Sequence, residues 1–144
     1  MTGKISENFS WEEFEASIEA LEYGIDNTIP NENIAMNIRS LVVNVLQPLR
    51  TAMGKPLNIS SGYRCNTLNK AIGGAKGSQH IRGEAADLIA PDPLLLAQMV
   101  QKKKLPFDQM ILHSDFVHIS HKFNQTERGQ ILYDKSYTQN YPMQ

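Results

Sequence analysis

His80 and Asp87 stand seven positions apart in the run Ser78-Gln79-His80-Ile81-Arg82-Gly83-Glu84-Ala85-Ala86-Asp87, and Asp115-Phe116-Val117-His118 follows downstream. Two imidazoles and a carboxylate, with a second carboxylate close to one imidazole, are the groups a hydrolytic zinc site needs. Three protein ligands leave a fourth coordination position for water. The metal lowers that water's pKa towards neutrality, and a nearby carboxylate can take its proton.

The spacing says how the first two groups must be carried. On one helix, residues seven apart lie about 10.5 Å apart along the axis. Ligand atoms that each sit about 2.0–2.2 Å from one metal cannot span that. A turn must join the pair, and Gly83 supplies it, leaving Asp87 on a strand between Ala86 and Leu88. A carboxylate there is costly unless it is paired or coordinated. The other reading is a strand-end aspartate bound to backbone amides. Alternate strand residues share a face, so His118 goes with Phe116 and Ser120, and His121 with Val117 and Ile119. Only one of the two histidines should bind the metal. Asp115, three residues before it, favours His118, and His121 is expected to be an exposed strand-end residue. His113 is expected to be a polar turn residue near the site. Arg64 follows Ser-Gly-Tyr in a loop. Its guanidinium could stabilise an oxyanion or clamp a carboxylate; a lone surface arginine is the alternative.

The elements that must position these groups can be read around them. Ser10-Trp11-Glu12-Glu13 has the pattern of a capping box, and Trp11, Phe14, Ile18 and Leu21 continue it as one helical stripe that Gly24 ends. A second helix is expected from Asn31 or Asn33, burying Ile34, Ile38, Leu41, Val42, Val45 and Leu49. Pro48 should kink it. Leu57-Asn58-Ile59 predicts a short strand, Asn66 to Ala71 a helical turn or two, and Ala85 to Ile89 a strand. Asp92-Pro93 opens a third helix to about Lys103. Gln109–Leu112 and Phe116–His121 predict a hairpin, with one further strand at Ile131-Leu132-Tyr133 before a polar, loosely held end. The glycine-rich run Ile72 to Gly77 lacks the Gly-Lys-Ser/Thr ending of a phosphate loop. The Lys102-Lys103-Lys104 run suits a helix C-terminus.

The chain has 144 residues, 41% hydrophobic and 20% charged, with a net charge of −1. That predicts one soluble domain with a real core and gives no field for nucleic acid or membrane. One cysteine excludes an intrachain disulfide and a thiolate metal cluster. Met1 to Asn8 carries no apolar run, so a secretion signal is not expected. Synthesis in the cytoplasm and action elsewhere after release is the expectation.

The chain resembles the zinc D-Ala-D-Ala carboxypeptidase and L-alanyl-D-glutamate endopeptidase family, which includes D-Ala-D-Ala dipeptidases and phage endolysins. The resemblance runs from Asn44 to His121 through Val45-Leu46-Gln47-Pro48-Leu49-Arg50, Ser61-Gly62-Tyr63-Arg64, Leu68-Asn69, Gly73-Gly74, Ser78-Gln79-His80, Gly83-Glu84-Ala85-Ala86-Asp87, Phe107-Asp108-Gln109 and Val117-His118-Ile119-Ser120. It implies zinc held by His80, Asp87 and His118, with Arg64 as the family's arginine and Asp115 as its general base. Glu84 and Asp108 are fallback bases, Asp108 being better suited to orienting a ligand histidine. Ser78 and His113 join Arg64 as substrate-binding candidates. Phe116 stands where the family often has tryptophan.

The implied fold is α+β: a small antiparallel sheet with helices packed on one side, of the Hedgehog/DD-peptidase-like zinc type. It would form one domain over residues 1–144, with an N-terminal helix within 1–30, the family core at 44–121 and a tail at 122–144. The implied activity is hydrolysis of a peptide bond in peptidoglycan stem peptides by a monomeric, endolysin-type hydrolase acting on the cell wall. The alternative is a zinc-containing peptidoglycan-binding module with weak or no catalysis, or a phage structural component.

Overall fold

The computed structural model describes residues 1–139. Strands β1 (Lys4–Ser6) and β2 (Phe9–Ser10) form a small hairpin, followed by helices α1 (Trp11–Glu15) and α2 (Ile18–Tyr23). The expected single helix across this region is therefore two. The capping box at Ser10 and Glu13 is present. The helix stops because Ala16 is extended and Ser17 caps a new one, its hydroxyl accepting from Ala20 N. Ser17 thus offers the backbone a local alternative to helix continuation. Trp11 and Phe14 are buried, while Ile18 and Leu21 are exposed, so the apparent stripe ends at the break. Gly24 closes α2 in the left-handed region at φ 65°.

Helix α3 (Glu32–Leu41) starts at Asn31, whose side chain accepts from Ile34 N. A widened turn, Val42–Leu46, joins it to α4 (Gln47–Met53), with Gln47 N bonded to Val42 O five residues back. Pro48 has no N–H to give and would crowd the carbonyl four residues earlier in a regular helix. The wide turn accommodates it without breaking the rod. Ile38, Leu41, Val42, Val45 and Leu49 are buried as the periodicity predicts, while Ile34, in the first turn, is only partly buried.

After α4 come β3 (Ile59–Ser61), α5 (Asn66–Ala71), a single tight turn at Gln79–Arg82 and β4 (Ala85–Ile89). Helix α6 (Pro93–Lys102), β5 (Gln109–Leu112), β6 (Phe116–Ser120) and β7 (Gln130–Tyr133) complete the described chain. The first strand of the sheet lies two residues later than the apolar pair Leu57 and Ile59 suggests. The sheet order is β3-β4-β6-β5-β7. The first four strands pair antiparallel, and β7 joins the β5 edge in parallel. The α+β expectation holds, with a mixed rather than purely antiparallel sheet.

Strand parity divides the sheet. Ala86, Leu88, Met110, Leu112, Val117 and Ile119 all enter one core with the residues of α3, α4 and α6. Their neighbours Asp87, Ile111 and His118 take the other face. The segment after β6 is not a loose appendage. Tyr137 is buried, and Glu127 and Arg128 pair with His121 and Asp108. The expected loosely held end falls partly on residues 140–144, outside the described ones. Among the described residues no helix is long and apolar enough to cross a membrane.

The N-terminal unit has a close backbone contact on which the site depends. Tyr63 N donates to Phe14 O at 2.8 Å, and a Cβ at Gly62 would lie 2.8 Å from Phe14 Cα. Backbone against backbone cannot relax as a flexible side chain does. Gly62→Ala is expected to destabilise the fold by about 1–3 kcal/mol, read as a lowered denaturation midpoint in urea.

Candidate metal centre

Three elements bring the candidate ligands together. The turn at Gln79–Arg82 presents His80, and Gly83 closes it in the left-handed region at φ 75°. Ser78 caps the turn by accepting from His80 N at 3.2 Å. Chain reversal at Gly83 then leads straight into β4. Asp87 and His118 are directly opposite one another in the β4–β6 register. A cross-strand pair in a twisted sheet has its Cβ atoms about 4.5–5.5 Å apart, close enough to share one ion.

His80, Asp87 and His118 each offer one ligand atom, and these atoms lie within 4.8 Å of one another. Asp87 Oδ1 is 3.3 Å from His80 Nε2 and 3.0 Å from His118 Nδ1. The imidazole rings meet edge-on, with centroids 5.1 Å apart. His80 Nδ1 donates to Gly62 O at 2.7 Å. A carbonyl can only accept, so that ring carries a proton at Nδ1, and Nε2, facing Asp87, is the atom it can offer a metal. A main-chain carbonyl fixing the tautomer of a ligand imidazole is a recurrent feature of metal sites. Burial works against ionisation of Asp87, but hydrogen bonds from both imidazoles outweigh it and hold the carboxyl well below the usual carboxylate range. The donor set, two nitrogens and one carboxylate oxygen, fits zinc.

Arg64 lies beside the cluster. Its Nε donates to Ser61 Oγ at 2.9 Å, one terminal nitrogen to Asn69 Oδ1 at 3.2 Å, and the other reaches Asp87 Oδ2 at 3.4 Å. The guanidinium is thus oriented from three sides, and the surface-arginine alternative fails. Asn69 is itself fixed, donating to Ala75 O, and packs so closely on Gly74 that a Cβ there would strike its side chain. Asn27 is buried and bonds Tyr63 O and Cys65 N on either side of Arg64. Neither asparagine was legible as part of the site. Leu68-Asn69 and Gly73-Gly74 marked the place, but nothing in their spacing gave the amide its role.

The remaining candidates fall in different places. Asp115 is exposed in the turn before β6, and its main-chain oxygen accepts from Ala90 N. Three residues of extended chain separate it from His118, about 10 Å along the strand. His113 stacks on Phe116 at 3.9 Å and approaches Asp134 at 3.4 Å. Glu84 is buried and bound to Arg82 Nε at 2.9 Å. Asp108 does not orient a histidine. It is fully buried and is held by Gln79 Nε2 at 3.0 Å and by Arg128, whose closest nitrogen is at 2.6 Å. The nearer cation and amide satisfy both its oxygens. His121, expected at the surface, is buried: Glu127 accepts from its Nδ1 at 3.0 Å, and a neutral ring then takes the Ser40 hydroxyl at Nε2, 2.9 Å away. Both partners lie on other elements, so the bonds that make burial tolerable are invisible along the strand.

With this geometry in view, residues 7–120 match the family Peptidase M15, and the chain belongs to that family. Among characterised relatives, the zinc D-Ala-D-Ala carboxypeptidase of Streptomyces albus G is 35% identical over 81 residues, covering 52% of this chain and 32% of that protein. The chain therefore spans about a third of the length of the curated relative it matches.

The Asp108 cluster gives a pH dependence. Burial opposes its charge, but hydrogen bonds from Arg128 and Gln79 bring the carboxyl from 3.8 down to about 2. A folded-state value below the unfolded one stabilises above the unfolded value and is lost as pH falls through the folded one, worth about 2 kcal/mol here. Wild-type stability to urea should fall between pH 4 and pH 2 by about that much more than that of Asp108→Asn.

Proposed function

We propose that this protein is a zinc peptidase that hydrolyses a peptide bond in peptidoglycan stem peptides. The observation that carries the reading is the convergence of His80, Asp87 and His118, with Arg64 fixed alongside, in a chain of a peptidase family. The name of the Streptomyces albus G relative supports both the metal and the substrate class. The three side chains would hold zinc, which when bound polarises a water and the scissile carbonyl. Arg64 faces the same point and stabilises the charge that gathers on the carbonyl oxygen. Asp115, the general base that the resemblance implies, must turn in from its exposed place before β6 to take a proton from the attacking water and return it to the leaving amine. Within the class we read the protein as an endolysin-type cell-wall hydrolase, on the resemblance of its motifs.

The second reading is a peptidoglycan-binding module that keeps the metal and lacks effective catalysis. It draws on one observation, the exposed position of Asp115 in the turn before β6. The two readings diverge in one experiment. Purified sacculi are digested by the zinc-loaded protein, and the released peptides are identified by mass spectrometry. Chelator dialysis should abolish release and zinc add-back should restore it. Asp115→Ala should lower the rate at least about 100-fold with zinc content unchanged, and Arg64→Gln should lower it about as much. Cleavage that persists in the chelator overturns the zinc reading. Binding of sacculi without any release favours the module.

A further inference from the structure

A groove of about 460 Å³ runs beside His118, over β5 and β6. That volume lies within the range of small-ligand sites. Its walls include Gln79, Gln109, Arg82, Lys122 and Arg128, and no carboxylate among the described residues. The charge distribution is layered. Arg82 and Arg128 have side chains 48% and 51% exposed, while the acids they bind, Glu84 and Asp108, are 4% and 0% exposed. Lys122 stands 4.0 Å from Asp108, the loosest of these pairs. The acids are sunk beneath the wall and the cations face the solvent, so the groove presents positive charge in a chain whose net charge is −1.

Along the sheet, the groove's strand residues and Arg64 lie on opposite sides of the metal centre. Arg64 follows β3, Asp87 sits on β4 and His118 on β6, and the groove continues to Gln109 and Ile111 on β5. A peptide crossing the strands would place its reacting bond at the cluster and its remaining residues between the three cations. We propose that this groove is a carboxylate-binding subsite, selecting peptides that carry free internal carboxylates on the β5 side of the cleaved bond. The proposal rests on the peptidase reading and adds what kind of peptide is chosen. Guanidinium groups suit carboxylates by their planar fork. The three cations are confined to one small groove, whereas nucleic acid needs a basic stripe along a face.

The test measures binding, which the cations provide without the metal. Two synthetic stem peptides, both fluorescently labelled and both C-terminally amidated so that Arg64 sees the same end, differ only in whether their internal carboxylates are free or amidated. Fluorescence anisotropy with chelator-treated protein should give the free-carboxylate peptide a Kd at least about tenfold lower. Lys122→Gln leaves Asp108 held by Arg128 and Gln79, so the fold should survive. It should shrink the preference to about twofold or less while leaving the amidated peptide's Kd unchanged, and Arg64→Gln should keep the preference. Equal Kd values for the two peptides in the wild type overturn the proposal, as does Lys122→Gln weakening both peptides alike. A preserved preference in a protein that releases nothing from sacculi would uphold the subsite and count against the peptidase.

Discussion

The site depends on the pairing register of two strands. Asp87 and His118 face one another because β4 and β6 pair with Ala86 against Ile119 and Leu88 against Val117 on the other side of the sheet. Those four residues are completely buried. A one-residue slip would send all four to solvent and both ligands into the core. The apolar face therefore enforces the polar one, and the cost of sinking a carboxylate near the sheet is met by packing on its far side.

Everything else in the site is hung from that pair. His80 arrives on a tight turn whose direction Gly83 sets, and Gly62 O fixes its ring. Arg64 leaves β3 and is steered by Ser61 and Asn69. The N-terminal unit supports both through the Tyr63–Phe14 main-chain bond and the Asn27 amide. The segment after β6 returns to the sheet, and its Arg128 covers the buried Asp108. The groove beside His118 is thus walled partly by residues that also close the fold.

Much of this was legible along the chain. His80, Asp87 and His118 could be picked out because their donor types are few, strand parity parts His118 from His121, and Asp115 three residues ahead favours His118. Most of the buried face of α3 followed from periodicity, and the strand at Ala85–Ile89 was expected where it stands. What was missed depended on partners distant in sequence. His121 is buried because of Ser40, 81 residues away. Asp108 belongs to Arg128 and Gln79 rather than to a histidine, and side-chain amides such as Asn69 leave no periodic trace. The break at Ser17 was hidden because Ile18 and Leu21 continue a helical spacing that the folded chain does not use.

The contact between His80 and Gly62 has a bearing on how the site tolerates genetic drift. The acceptor is a peptide oxygen, present whatever side chain the position bears, so point changes can disturb it only by shifting the chain itself. The guanidinium of Arg64 is aimed by a serine hydroxyl and an asparagine amide, which single substitutions can erase. One half of the centre is anchored to the polymer and the other to its alphabet, and variation among descendants should accumulate on the second half first.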